Sequence, residues 1–268
     1  MGFPTLFIIG EQMKIAGIDP SMNSSGKVIM DLDDDTFDIK DIQFYGFQPH
    51  INAILETEHV HIMCSGTDYD KVPMLVRQER AIKILERDME DVKYVSFEDY
   101  AYEKANEGNS NSIFQIGEFC GAYRRHFYLQ GKGIITYGIC QIKHFATGDG
   151  GAGKPAMCEA MRALYPQFYY PEFDKFPKQY ESPHSDICDA FWMCEILRNH
   201  IKHDILGPES LPPDILTMLT YHTPKKQFDR RALVDYSLVR MSDWPVDLEK
   251  LAERRKPVRK PRIAVKKP

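Results

Sequence analysis

The sequence predicts an α/β protein in which a mixed sheet of five strands is flanked by helices and followed by a C-terminal extension. Three observations lead there. Hydrophobic residues make up 43% of the 268 residues, enough for a sizeable core. Short apolar runs bounded by turn residues alternate with longer segments whose apolar positions recur at helical spacing. Three extended runs come first, and helices and strands then alternate along the chain.

Residues 14–19 (KIAGID) read as a buried first strand that ends in an acid. Pro20 breaks it, and residues 21–26 (SMNSSG) form a turn. Residues 27–32 and 37–47 follow as strands around the acidic turn Asp33-Asp34-Asp35, completing an antiparallel meander. Residues 73–89 carry Leu75, Ile82, Leu85 and Met89 at helical spacing. A fourth strand, 92–97, has Glu98 at its end. The polar loop 106–111 (NEGNSN) leads into a helix over 112–129, then a fifth strand over 133–139 and a helix over 152–164. Residues 165–183, rich in Tyr, Phe and Pro, read as an irregular insertion: a lid, a partner surface or a packed surface loop. Residues 185–201 form a strong helix, and from Gly207 prolines punctuate short helical pieces. The expected organisation is an extension over 1–12, an α/β domain over 13–205 and a C-terminal extension over 206–268.

Charge is unevenly distributed. The formal net charge is −5, yet residues 254–268 hold eight basic side chains and no acid. An acidic body with a basic, proline-spaced tail does not look like a chain that binds nucleic acid by bulk charge alone, and any DNA contact in the body would need local basic patches. The tail reads as disordered in isolation. None of the six cysteines has CxxC spacing, which argues against a zinc site or redox pair and for reduced, buried thiols. Residues 3–9 are apolar but too short to span a membrane and lack the basic residues of a signal peptide. The expectation is a cytoplasmic chain with no membrane partner.

Four acids fall at strand ends or a helix start: Asp19, Glu98, Asp186 and Asp189. A carboxylate at the end of a buried strand is costly unless paired, and divalent cations are the usual partner of converging acids. Asp186 and Asp189 are three apart on one helix face, in line with Ala190, Met193 and Leu197, and therefore point inward. Hard oxygen ligands suit Mg²⁺ or Mn²⁺. Two such ions about 4 Å apart can activate water and stabilise the leaving oxygen of a phosphodiester. Singly, each acid has a plainer reading: Asp19 as a turn former before Pro20, Asp186 as a helix cap.

At these residues the sequence resembles the RuvC-like Holliday-junction resolvases, over about residues 14–200. Gly17-Ile18-Asp19-Pro20-Ser21 resembles the first family motif, a turn after strand one, and residues 95–99 (VSFED) the second, a strand ending in Glu. Ile116-Gly117-Glu118-Phe119-Cys120-Gly121 resembles the Leu-Gly-x-x-x-Gly of the next helix. Residues 141–157 (QIKHFATGDGGAGKPAM) resemble the lysine-containing segment, and 184–190 (HSDICDA) the closing Asp-x-x-Asp-Ala motif. The resemblance implies an RNase H-like fold and a homodimer that cuts two strands of a four-way junction. It implies that Asp19, Glu98, Asp186 and Asp189 hold two Mg²⁺ or Mn²⁺ ions and that Lys143 and Lys154 contact DNA phosphates. Tyr100 and Tyr102 are candidates for the aromatic that probes the junction, although the loop between Glu98 and Gly117 is longer than the family's. The insertion 165–183 and the chain beyond 205 lie outside the pattern. Some family members have a His where this chain has Asp186, so His184 reads as a cap or a neighbour of the ligands.

The segment 148–154 (GDGGAGK) mimics a phosphate-binding loop, but Pro155 supplies neither the Mg²⁺-binding hydroxyl nor a backbone N–H, so no nucleotide cofactor is expected. Two alternatives remain at this stage. One is a nuclease of the same fold acting on flaps, forks or R-loops; the other is a non-catalytic DNA-binding protein.

Overall fold

A computed structural model describes residues 13–21, 24–48, 55–64, 68, 71–99, 110–175 and 180–219. The expected N-terminal extension, Tyr100, Tyr102 and the basic tail lie outside these residues. The strands are β1 (Met13–Asp19), β2 (Ser25–Leu32), β3 (Ile39–Phe47), β4 (Leu55–Glu56), β5 (Val60–Met63), β6 (Val92–Glu98) and β7 (Gly133–Tyr137). The helices are α1 (Met74–Leu85), α2 (Ser110–Leu129), α3 (Ile139–Thr147), α4 (Lys154–Leu164), α5 (His184–Leu206) and α6 (Pro213–Leu219).

Among the described residues the strands form one sheet in the order β4-β5-β3-β2-β1-β6-β7. The meander is present: β2 pairs antiparallel with both β1 and β3. β6 pairs parallel with β1, and β7 parallel with β6. A five-strand unit ordered β3-β2-β1-β6-β7, with β2 alone reversed, is the RNase H-like arrangement. The expected count of five is corrected to seven by β4 and β5, which extend the sheet beyond β3. These strands are two and four residues long, too short to carry a readable alternation.

Alternation along the central strands sorts their side chains to two faces. Ile15 on β1, Val28 and Met30 on β2 and Phe44 on β3 join the cluster that contains Ile187, Phe191 and Cys194 of α5. Ala16 and Ile18, Ile29, Tyr45 and Phe47 join the opposite cluster, with Ala81 and Leu85 of α1 and Phe119, Tyr123 and Phe127 of α2. The strands are covered on both faces, which is why β1 and β6 read as near-continuous apolar runs.

Helix α5 sits unusually low on the sheet. A Cβ on Gly17 would come within 2.2 Å of the Ala190 carbonyl oxygen. Ser96 on β6 donates its hydroxyl to the Met193 carbonyl at 2.8 Å. Glycine is needed at position 17 because backbone, not a movable side chain, occupies the space.

One further expectation changes. The strand over 133–139 stops at Tyr137, and α3 follows after Gly138; the sequence reading assigned no helix there. The short β7-α3 connection lets α3 pack Ile142, Phe145 and Ala146 into the α5-side core. Of the readings of 165–183, the packed loop fits its described residues. Phe173 is buried against Phe44 with ring centroids 5.1 Å apart, and the Tyr165 hydroxyl donates to Glu195 of α5 at 2.7 Å. No helix among the described residues is long and apolar enough to cross a membrane.

Candidate active site

The parity that faces Ile15 and Gly17 toward α5 also places Asp19 on that face, at the C-terminal end of β1. Glu98 shares the parity of Ser96, so it faces the same way at the end of β6. The parallel register pairs Ile18 with Phe97, which sets Asp19 and Glu98 side by side. Carboxyl ends of strands are where open α/β sheets place ligands. Asp19 also pairs with Gly26 across the β1–β2 ladder. A Cβ on Gly26 would lie 2.0 Å from the Asp186 carbonyl oxygen, so the first turn of α5 rests on that pair. Asp189 follows one turn later. Sheet register and the seating of α5 thus bring together all four acids singled out in the sequence.

Their electrostatics reflect this crowding. Burial first, then the negative charges of Asp189, Asp186 and Glu98, hold the Asp19 carboxyl well above the usual range, with Lys154 opposing. Burial and Asp189 push Glu98 up to about 7, against the opposing charges of Lys143 and Arg124. Asp189 is raised to about 6 by burial and by Asp186, with Lys154 and Lys143 opposing. Like charges held this close out of water favour the protonated forms until a cation joins them.

Both expected lysines are at the cluster. Lys154 opens α4, where its ammonium lies 3.6 Å from Asp186 Oδ1 and donates to Ser185 Oγ at 3.0 Å. Its side chain keeps 54% of its surface exposed while Asp186 keeps 5%, so it covers the acids from the solvent side. Lys143, on α3, acts electrostatically on both Glu98 and Asp189. The glycine-rich loop before Lys154 leaves a helix, α3, rather than a strand.

Arg124 is a neighbour that sequence reasoning missed. From α2 it donates to the Glu98 carbonyl and lies 3.9 Å from Asp99, bracing the end of β6. Its only sequence signal was a cation within a mostly apolar helix. His184 is the first residue of α5, and its Nδ1 accepts the Tyr180 backbone N–H at 3.1 Å. It is fully buried on the side of Cys158 and Cys188, away from the role of a carboxylate neighbour.

The donor set fits a hard divalent cation. All four candidate ligands are carboxylates, and Asp186 Oδ2 is buried with no hydrogen-bond partner among the described residues. A buried carboxylate oxygen left in this state is costly, and a cation would satisfy it. Asp19, Glu98, Asp186 and Asp189 are the residues that could hold Mg²⁺ or Mn²⁺.

No family model matches this sequence. No curated protein matches it either. Among solved structures, the chain is similar to that of Thermus thermophilus RuvC: 17% identity over 73% of this chain and 97% of that one, TM-score 0.40. It is also similar to T. thermophilus RuvC in complex with a Holliday junction substrate: 18% identity over 73% of this chain and 96% of that one, TM-score 0.42.

Proposed function

We propose that this chain is a divalent-metal-dependent, structure-selective DNA endonuclease that resolves four-way junctions. The observation that carries the reading is the meeting of Asp19, Glu98, Asp186 and Asp189 at one end of the sheet, three of them with carboxyl groups raised by burial and mutual repulsion. A structural role alone gives no reason to gather four acids where neighbouring negative charges raise Asp19, Glu98 and Asp189.

Mg²⁺ or Mn²⁺ held by these carboxylates, two ions per site, would activate water for attack on phosphorus and offset charge on the leaving oxygen. The chain's own residues do the rest. The close seating of α5 on Gly17 and Gly26 fixes Asp186 and Asp189 relative to Asp19. Lys154 and Lys143 contact phosphates near the cut, and Lys154 gives up its contact with Asp186 in doing so. Arg124 keeps Glu98 in place through its main-chain carbonyl.

The motif resemblance supplies the branched substrate and the homodimer. Helix α2 offers a surface for the second copy, since Phe114 is 76% and Ile116 44% exposed while Phe119 and Tyr123 of the same helix are buried. The test is cleavage of four-way, forked, flapped and linear DNA of matched sequence with Mg²⁺. The proposal expects paired nicks across the four-way junction. Equal or faster cutting of flaps or forks would reassign the substrate, and binding without cutting would make the chain a DNA-binding protein of this fold.

A further inference from the structure

Beneath the carboxylate cluster lies a second group of a different chemistry. One ligand atom from each of Cys158, His184 and Cys188 lies within 4.8 Å of the others, and all three residues are buried. Cys158 is on α4; His184 and Cys188 are one turn apart on α5, on one face. We propose that these residues form a separate site for a soft or borderline divalent cation such as Zn²⁺.

The donors fit that class. Two thiolates and an imidazole suit Zn²⁺, which carboxylates alone do not favour, and three protein ligands leave the fourth tetrahedral position to solvent. The location gives the site a purpose. Cys158 lies one turn after Lys154, while Cys188 directly precedes Asp189 and His184 lies two residues before Asp186. An ion shared by Cys158, His184 and Cys188 ties the helix bearing the phosphate-binding lysine to the helix bearing two of the acids.

Loading has a local consequence. Nδ1 of His184 accepts the Tyr180 N–H. Coordination through Nδ1 takes that lone pair, and coordination through Nε2 moves the ring proton onto Nδ1. Either way the hydrogen bond to Tyr180 is given up, and the backbone there rearranges when the ion binds.

The test uses the reduced full chain, incubated with Zn²⁺, gel-filtered into excess Mg²⁺ and assayed for metal content. About one zinc per chain is expected, unchanged in Asp19→Asn/Glu98→Gln and lost in Cys158→Ala/Cys188→Ala. The Co²⁺-loaded wild type should show a thiolate-to-cobalt charge-transfer band. Wild-type chain that retains no zinc and shows no such band would overturn the site, whether or not the cysteine variant folds. So would zinc lost with the carboxylate variant.

Discussion

Gly26 on β2 lies directly against Asp186 on α5: a Cβ there would stand 2.0 Å from the Asp186 carbonyl oxygen and 2.2 Å from its carbonyl carbon. Both are backbone atoms of a helix seated along the sheet, so relief requires α5 to lift. Gly26→Ala should therefore cost about 3 kcal/mol of stability by urea denaturation and also abolish cleavage. Gly138→Ala is the control, because a Cβ there meets nothing within 4 Å among the described residues; as the residue that caps α3 it should lose no more than about 1 kcal/mol. Equal effects at the two positions would contradict the close seating.

Asp19, Glu98 and Asp189 hold their protons more tightly in the folded chain than unfolded carboxyls do, which titrate near ~4. The acid cluster therefore costs stability as pH rises past that value, and for Glu98 the cost is complete only above about 7. In EDTA at pH 8, Glu98→Gln should raise Tm by about 2–5 °C, with the gain shrinking toward pH 4. A lower Tm at pH 8 would show that the carboxylate is stabilising without metal.

The same linkage gives the metal dependence its sign. Saturating Mg²⁺ should raise Tm more at pH 8 than at pH 5, because protons compete for the carboxylates at the lower pH. Asp19→Asn should lose most of this shift. A Mg²⁺ effect that is independent of pH, or retained in that variant, would place the ion elsewhere.

Lys143 and Lys154 are proposed to contact phosphates. Replacing both with alanine should weaken junction binding on all sequences alike and reduce the slope of log K against log salt by roughly 2. An unchanged slope would confine Lys154 to its contacts with Asp186 and Ser185.

Much of this was legible in the sequence, for identifiable reasons. β1 and β6 are buried on both faces, so their apolar runs and terminal acids stood out, and the parity that aims Asp19 and Glu98 at α5 follows from a period of two. The pairing of Asp186 with Asp189 followed from helical spacing. Gly26 was read only as the end of a turn, because what it makes room for lies 160 residues away in sequence. Cysteine spacing could not show the grouping of Cys158 with Cys188 for the same reason: they are 30 residues apart in sequence, on α4 and α5. β4 and β5 are too short for a pattern. The aromatics of 165–175 looked like an insertion because nothing local shows that Phe44 and Phe191 await them across the core.

The proposed function stands on four carboxylates that hold metal for strand cleavage. Its most direct test is to compare wild type and Asp19→Asn on one radiolabelled four-way junction, measuring binding in Ca²⁺ and cleavage in Mg²⁺. The account predicts binding within about threefold of wild type, with cleavage reduced on the order of 10²-fold or more. Cleavage by Asp19→Asn at the wild-type rate, or none by the wild type in either Mg²⁺ or Mn²⁺, would contradict it.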